Sequence, residues 1–258
     1  MNDTAAAPPV DDIWATKHPE LVAGRGYAWS PQAKPLGSRL NLLRVAVFAY
    51  MALQTAAILT LVGMLYVFQQ LQVGADPAND MLATIGNIVG SGGTYLQPAT
   101  LVIYAACVIA YLMFVYRGMK NLHLSGARSV TIPPGWAIGW SFVPFANFVM
   151  IFNVMREIWI GSHDPVTGKY KPPATLIIWW VTYLAFLFTS RISDSMAPKD
   201  ADLQFMDPAD YLDAFLPSAS VGFFSWGFLI ISCFALLATA RQITAAQESL
   251  RSTSAFDE

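Results

Sequence analysis

Charge is what this chain has least of. Only 12% of its 258 residues are Asp, Glu, Lys or Arg, against 55% hydrophobic, and the mean hydropathy is +0.45, a balance that excludes an ordinary soluble domain. No Asp, Glu, Lys, Arg or His stands at the middle of a long apolar run. A charge there costs roughly 2.5–3.5 kcal/mol on insertion and is kept for function, so coupled ion or proton transport has little support. A net charge of −2 argues against a nucleic-acid partner. The two cysteines, Cys107 and Cys233, both lie inside apolar runs and read as small packing residues rather than a disulfide. His18, His123 and His163 lack metal-ligand spacing. Nucleophile elbows, phosphate-binding glycine loops and zinc motifs are missing, and no cofactor is expected. The opening MNDTAAAPPVDDIW has no basic region followed by a short apolar core, so insertion is expected to rely on the first span.

What is present is a series of charge-free runs. Val45 to Val67 is long enough for a hydrocarbon core of about 30 Å. Ala99 to Tyr116, Ala174 to Ser190 and about Ser218 to Ala240 complete four spans. Residues 1–40 read as a polar tail in which Trp14, Tyr27 and Trp29 rest at the interface, 41–241 as one transmembrane helical domain, and 242–258 as a C-terminal tail. Residues 72–97 read as a Gly/Asn/Ser-rich connection with a short surface helix over Met81 to Val89. In the acidic loop Arg191 to Leu216, the aspartates at 207, 210 and 213 read as a solvated helix face, with a weak divalent-cation site as the alternative.

A fifth apolar run, 134–155, is interrupted at Pro144 and Asn147. Proline removes a backbone donor and disfavours helical geometry at the residue before it, and a buried amide needs partners, so a helix, a bend and a second helix is expected. Whether this run crosses the bilayer decides the side of every later loop. If it does not cross, thirteen lysines and arginines lie on the inner side and two, Arg191 and Lys199, outside; if it crosses, the split is ten against five. The positive-inside rule favours the first arrangement. The expected fold is therefore all-α integral membrane, with four transmembrane helices plus a Pro-broken re-entrant or interfacial helix pair and both termini cytoplasmic; five transmembrane helices is the alternative.

The densest patterning falls in 116–159. Tyr116-Arg117, Asn121-Leu122, Pro134-Gly135-Trp136-Ala137, Gly139-Trp140, Phe142-Val143-Pro144, Asn147 and Val154-Met155-Arg156-Glu157-Ile158-Trp159 resemble the signature of the bacterial membrane family catalogued as domain of unknown function 4328. The family's region would cover roughly Val45 to Arg241. A second proline, which members usually carry shortly after the asparagine, is replaced here by Met150 and Ile151. The resemblance implies a multi-pass protein of the bacterial inner membrane and brings no activity with it.

Candidate contacts for lipid or a partner are Arg117, Lys120, Asn121, Trp136, Trp140, Pro144, Asn147, Arg156, Glu157 and Trp159. Arg117, Lys120 and Asn121 share a helix face suited to lipid phosphates. Glu157 is a candidate clasp to Arg117 or Lys120, against a plain solvated charge. Trp136 and Trp140 stand four apart, as interfacial anchors or as walls of a ligand groove, and Gly135 and Gly139 would allow close helix contact. Gln54, Thr55, Tyr104, Tyr111, Thr182 and Tyr183 read as interhelical hydrogen bonders. The expected partners are membrane lipids and a protein partner or second copy of the chain. These features fit a non-enzymatic accessory or scaffold protein. A small-solute or lipid-handling channel or transporter is the alternative, and a third reading is a membrane enzyme using Arg117, Glu157 and Asn147 on a lipid-linked substrate.

Overall fold

The computed structural model describes residues 29–76, 79–199, 206–207 and 210–255. Trp14, Tyr27 and His18 lie outside them. Among the described residues there are helices and no strands: α1 (Gly37–Gln72), α2 (Asp80–Leu124), α3 (Pro134–Gly139), a 3-10 turn (Trp140–Phe142), α4 (Asn147–His163), α5 (Ala174–Met196) and α6 (Tyr211–Ala255). Four of them, α1, α2, α5 and α6, are long and apolar enough to cross a membrane. The protein is an all-α integral membrane protein.

Three of these helices outrun a bilayer. At about 1.5 Å per residue, the 45 residues of α2 and of α6 reach about 68 Å. The Gly/Ser-rich stretch before Ala99 is helical from Asp80 onward instead of forming a connection. Asn79 caps it, its Oδ1 accepting the Met81 amide at 3.0 Å. The glycines that resemble loop punctuation let α1 and α2 approach: a Cβ at Gly63 would stand 3.0 Å from Val89 Cγ2, and one at Gly92 would stand 3.3 Å from Thr60. Likewise α6 begins at Tyr211, seven residues before the expected span. Its first turns are held by Phe68, whose ring lies 5.3 Å from both Tyr211 and Phe215. At the other end, residues 242–255 continue the helix.

The chain divides into two compact units. The first comprises 1–41, 111–173 and 239–258, and the second 42–110 and 174–238. The first unit has a conventional core, with Phe114, Met119, Leu122, Met155, Ile158 and Ile243 fully buried. Lys34, Arg39, Arg117, Lys120, Arg128, Arg156, Lys169, Lys171, Arg241 and Arg251 all belong to it, against Glu157, Asp164 and Glu248 among its described acids.

The second unit is built the other way out. Leu59, Val62, Leu101, Val102, Val181, Phe188 and Phe224 are all exposed, an apolar outer surface that suits hydrocarbon and not water. Its helices are joined by serines: Ser193, Ser225 and Ser232 donate to the carbonyls of Ser218, Phe186 and Trp179 at 2.8, 3.3 and 3.2 Å. The threonines expected in that role, Thr55 and Thr182, donate instead to Met51 and Ile178 within their own helices. Both cysteines are free, and Cys107 Sγ donates to the Ala46 carbonyl.

Candidate functional site

The broken segment sits in the first unit, and its break falls where proline chemistry requires. Pro133 precedes α3 in extended geometry and Pro134 occupies the first turn, where a missing amide costs nothing. The helix tightens into the 3-10 turn, and Val143, forced out of helical geometry by Pro144, is extended at φ −90° and ψ 114°. Phe145 then takes φ 62°, a left-handed conformation that costs a non-glycine residue about 1–2 kcal/mol. The chain re-enters helix at Asn147, whose amide donates to the Val143 carbonyl at 3.1 Å. Its side-chain Oδ1 is buried with no partner among the described residues.

This turn presents aromatic side chains outward. Phe145 is 84% exposed and Phe142 71%, with Trp136, Phe148 and Val149 also exposed. The Trp136 and Trp140 rings lie 5.2 Å apart and tilted. Gly135 and Gly139 do not form a helix-contact face: a Cβ at Gly135 would meet nothing within 4 Å, and one at Gly139 would meet only the Trp136 ring.

The two flanks of the segment are tied to each other. Ser129 N donates to the Pro165 carbonyl at 3.3 Å. Glu157 accepts the amides of Thr131 and Ile132, both at 3.0 Å, and the Thr131 hydroxyl at 2.7 Å. The Glu157 carboxylate is thus committed to the loop before α3 and not to Arg117 or Lys120. Behind it, Gly161 admits Val130 and Leu122 so closely that a Cβ would stand 2.4 Å from Val130 Cγ2 and 2.9 Å from Leu122 Cδ1.

Beneath lies a buried polar chain. Asn121 Oδ1 accepts the Lys34 amide at 3.1 Å, and its Nδ2 donates to the Lys34 carbonyl at 2.8 Å and to Gln247 Oε1 at 3.1 Å. Gln247 Nε2 donates in turn to the Gly118 carbonyl at 3.3 Å and to Ser162 Oγ at 3.1 Å. Asn121 therefore turns inward, only 1% exposed, while Lys120 is exposed beside it, its ammonium 5.8 Å from the Tyr116 ring centre. Arg117 is half-buried and Arg156 exposed. Trp159 is buried; it stacks on His163 at 3.8 Å and donates from Nε1 to the Lys171 carbonyl. In the following turn Asp164 accepts the hydroxyl and amide of Thr167 and the amide of Lys169. Those bonds, the Thr167 hydroxyl first, hold its carboxyl below the usual carboxylate range.

Of the ten candidate residues, the structure sets Lys120, Trp136, Pro144 and Arg156 on the surface. It leaves Arg117, Trp140, Asn147 and Glu157 half-buried, and Asn121 and Trp159 inside. Gln247, Ser162, Gly161 and Thr131 were not singled out from sequence. Gln247 sits in an apparently plain polar tail, and nothing local marks it. Among the described residues no group of three or more His, Cys, Asp or Glu side chains is placed to hold a metal ion.

A model of the family described as Domain of unknown function (DUF4328) matches residues 93–245, more than half of the chain. The match starts inside α2 and leaves the first span outside it, although the resemblance implied a region from Val45. No curated protein and no solved structure matches the chain.

Proposed function

Because the chain belongs to the family described as Domain of unknown function (DUF4328), whose description assigns no activity, we propose from the geometry of the first unit that it is a non-enzymatic scaffold. It sits in the bacterial inner membrane with both termini cytoplasmic. Its broken segment enters and leaves the bilayer on the cytoplasmic side and engages anionic lipid. The bond between Ser129 and Pro165 carries this reading. Backbone before and after the segment that shares a hydrogen bond cannot lie on opposite faces of a core about 30 Å thick. The first unit's excess of lysine and arginine agrees with a cytoplasmic position.

The exposed aromatics Trp136, Phe142, Phe145 and Phe148 enter the headgroup and acyl boundary, where such side chains are favoured. Arg117, Lys120 and Arg156 meet lipid phosphates, each basic residue contributing about 1 kcal/mol near an anionic surface. Two measurements test this. Reporter fusions after Ser129 and Gly168 are expected on the cytoplasmic side and one after Lys199 on the other; an external signal at Gly168 sinks the re-entrant topology. A spin label at Phe145→Cys, in a background lacking Cys107 and Cys233, is expected to be more accessible to oxygen than to a water-soluble nickel complex in anionic nanodiscs. Arg117→Gln with Lys120→Gln should reverse that preference if these cations hold the segment down.

A further inference from the structure

We propose that the outer side of α2 is the contact surface for a second copy of this chain, with Gln97 pairing across a two-fold axis. Depth in the bilayer is set by α1, which runs antiparallel to α2 within the second unit. Cys107 Sγ donates to the Ala46 carbonyl at 3.0 Å, the Tyr104 and Tyr50 rings lie 5.8 Å apart, and a Cβ at Gly92 would stand 3.3 Å from Thr60. Gln97 falls between the last two of these contacts, level with Thr55, at the middle of the charge-free run Val45 to Val67. It is nevertheless exposed, and its side chain has no hydrogen-bond partner among the described residues. A primary amide left open to hydrocarbon is costly, because no water at that depth offers a partner.

The amide does not stand alone. On the side of α2 turned away from α1, Asn87, Thr94 and Leu101 recur every seven residues, with Gly90 and Gln97 between them. All five are exposed, and the spacing is that of a helix-pairing seam. Pro98 has no amide to return to the Thr94 carbonyl, so that acceptor is open on the same stretch. A Cβ at Gly90 would meet nothing within 4 Å, which leaves room for a partner helix to come close. The occupant follows from the chemistry: the seam is uncharged and carries both donors and acceptors, so it complements itself, as a two-fold interface must. Copies inserted in one orientation present α2 in parallel, which brings Gln97 to Gln97 of the second copy at one depth. Each amide can then donate to the carbonyl of the other and to the open Thr94 carbonyl across the axis.

The test uses the full chain in neutral phosphatidylcholine liposomes, in a background lacking Cys107 and Cys233. Energy transfer between copies labelled at Ser252→Cys is followed against the protein-to-lipid ratio, with unlabelled chain as competitor. A saturating monomer–dimer curve is expected. Gln97→Leu, which suits hydrocarbon but cannot pair, should move its midpoint to a ratio about tenfold higher or more, whereas Tyr95→Leu, equally exposed but off the seam, should leave it in place. Independently of any change at Gln97, oxidation should crosslink Ala105→Cys, on the outer side, and spare Ile103→Cys, on the side facing α1. A monomer at every ratio, an unmoved midpoint in Gln97→Leu, or crosslinking at Ile103→Cys equal to that at Ala105→Cys would each overturn the proposal.

Discussion

Asn121 and Gln247 stand 126 positions apart in the chain and share a buried hydrogen bond of 3.1 Å, Nδ2 donating to Oε1. Each amide is fully occupied on its other side, Asn121 by Lys34 and Gln247 by Gly118 and Ser162. Gln247→Ala strands donors and acceptors that water cannot reach, a loss of about 1–3 kcal/mol. Thermal unfolding in detergent should show a clear drop in midpoint for this variant and none for the exposed neighbour Glu248→Gln.

Gly161 is required by space. A methyl there overlaps Val130 and Leu122, and overpacking of this kind costs about 1–3 kcal/mol. Gly161→Ala should be destabilised accordingly. Combining it with Val130→Ala should cost less than the two single changes added together, because the second removes the closer of the two atoms the first collides with, leaving only Leu122 Cδ1 at 2.9 Å. A strictly additive result in the same unfolding assay would mean the site relaxes by another route.

Glu157 lends itself to a double-mutant cycle. Its carboxylate serves Thr131 and Ile132, so Glu157→Ala and Thr131→Ala should be coupled, with Glu157→Ala alone costing about 1 kcal/mol at this partly exposed position. Glu157→Ala and Arg117→Ala should add to within about 0.3–0.5 kcal/mol. Amide exchange at Thr131 and Ile132 should quicken in Glu157→Ala. Coupling to Arg117 would restore the clasp that the sequence suggested.

Asp164 makes the turn after α4 acid-sensitive. A carboxyl whose folded pKa is depressed contributes stability that is present above its unfolded pKa and lost as pH falls through the folded one. The Asp164 shift is downward, so the transition lies below the usual carboxylate range. Amide resonances of Thr167 and Lys169 should report loss of the turn on acidification, and Asp164→Asn should abolish that step.

The four spans and the break at Pro144 were legible because both follow from local chemistry. Apolar length decides membrane insertion, and proline constrains its own residue and the one before it. The reach of α2 back to Asp80 was not legible, since Gly63 and Gly92 act as helix-contact residues only once α1 lies alongside. Thr55 and Thr182 misled for a related reason: a threonine on a helix can satisfy itself on its own preceding turn, so polarity in a span does not by itself indicate a neighbour.

From sequence alone came the class of protein, the number of spans, the break within 134–155 and the concentration of positive charge near it, all properties of residues close together in the chain. Tertiary structure alone decided which polar groups meet. It turned Asn121 inward to Gln247, gave Glu157 to Thr131 instead of Arg117, and closed Val130 and Leu122 over Gly161. Those hydrogen-bonded pairs stand 126 and 26 positions apart, and no local pattern encodes the partner of such a bond.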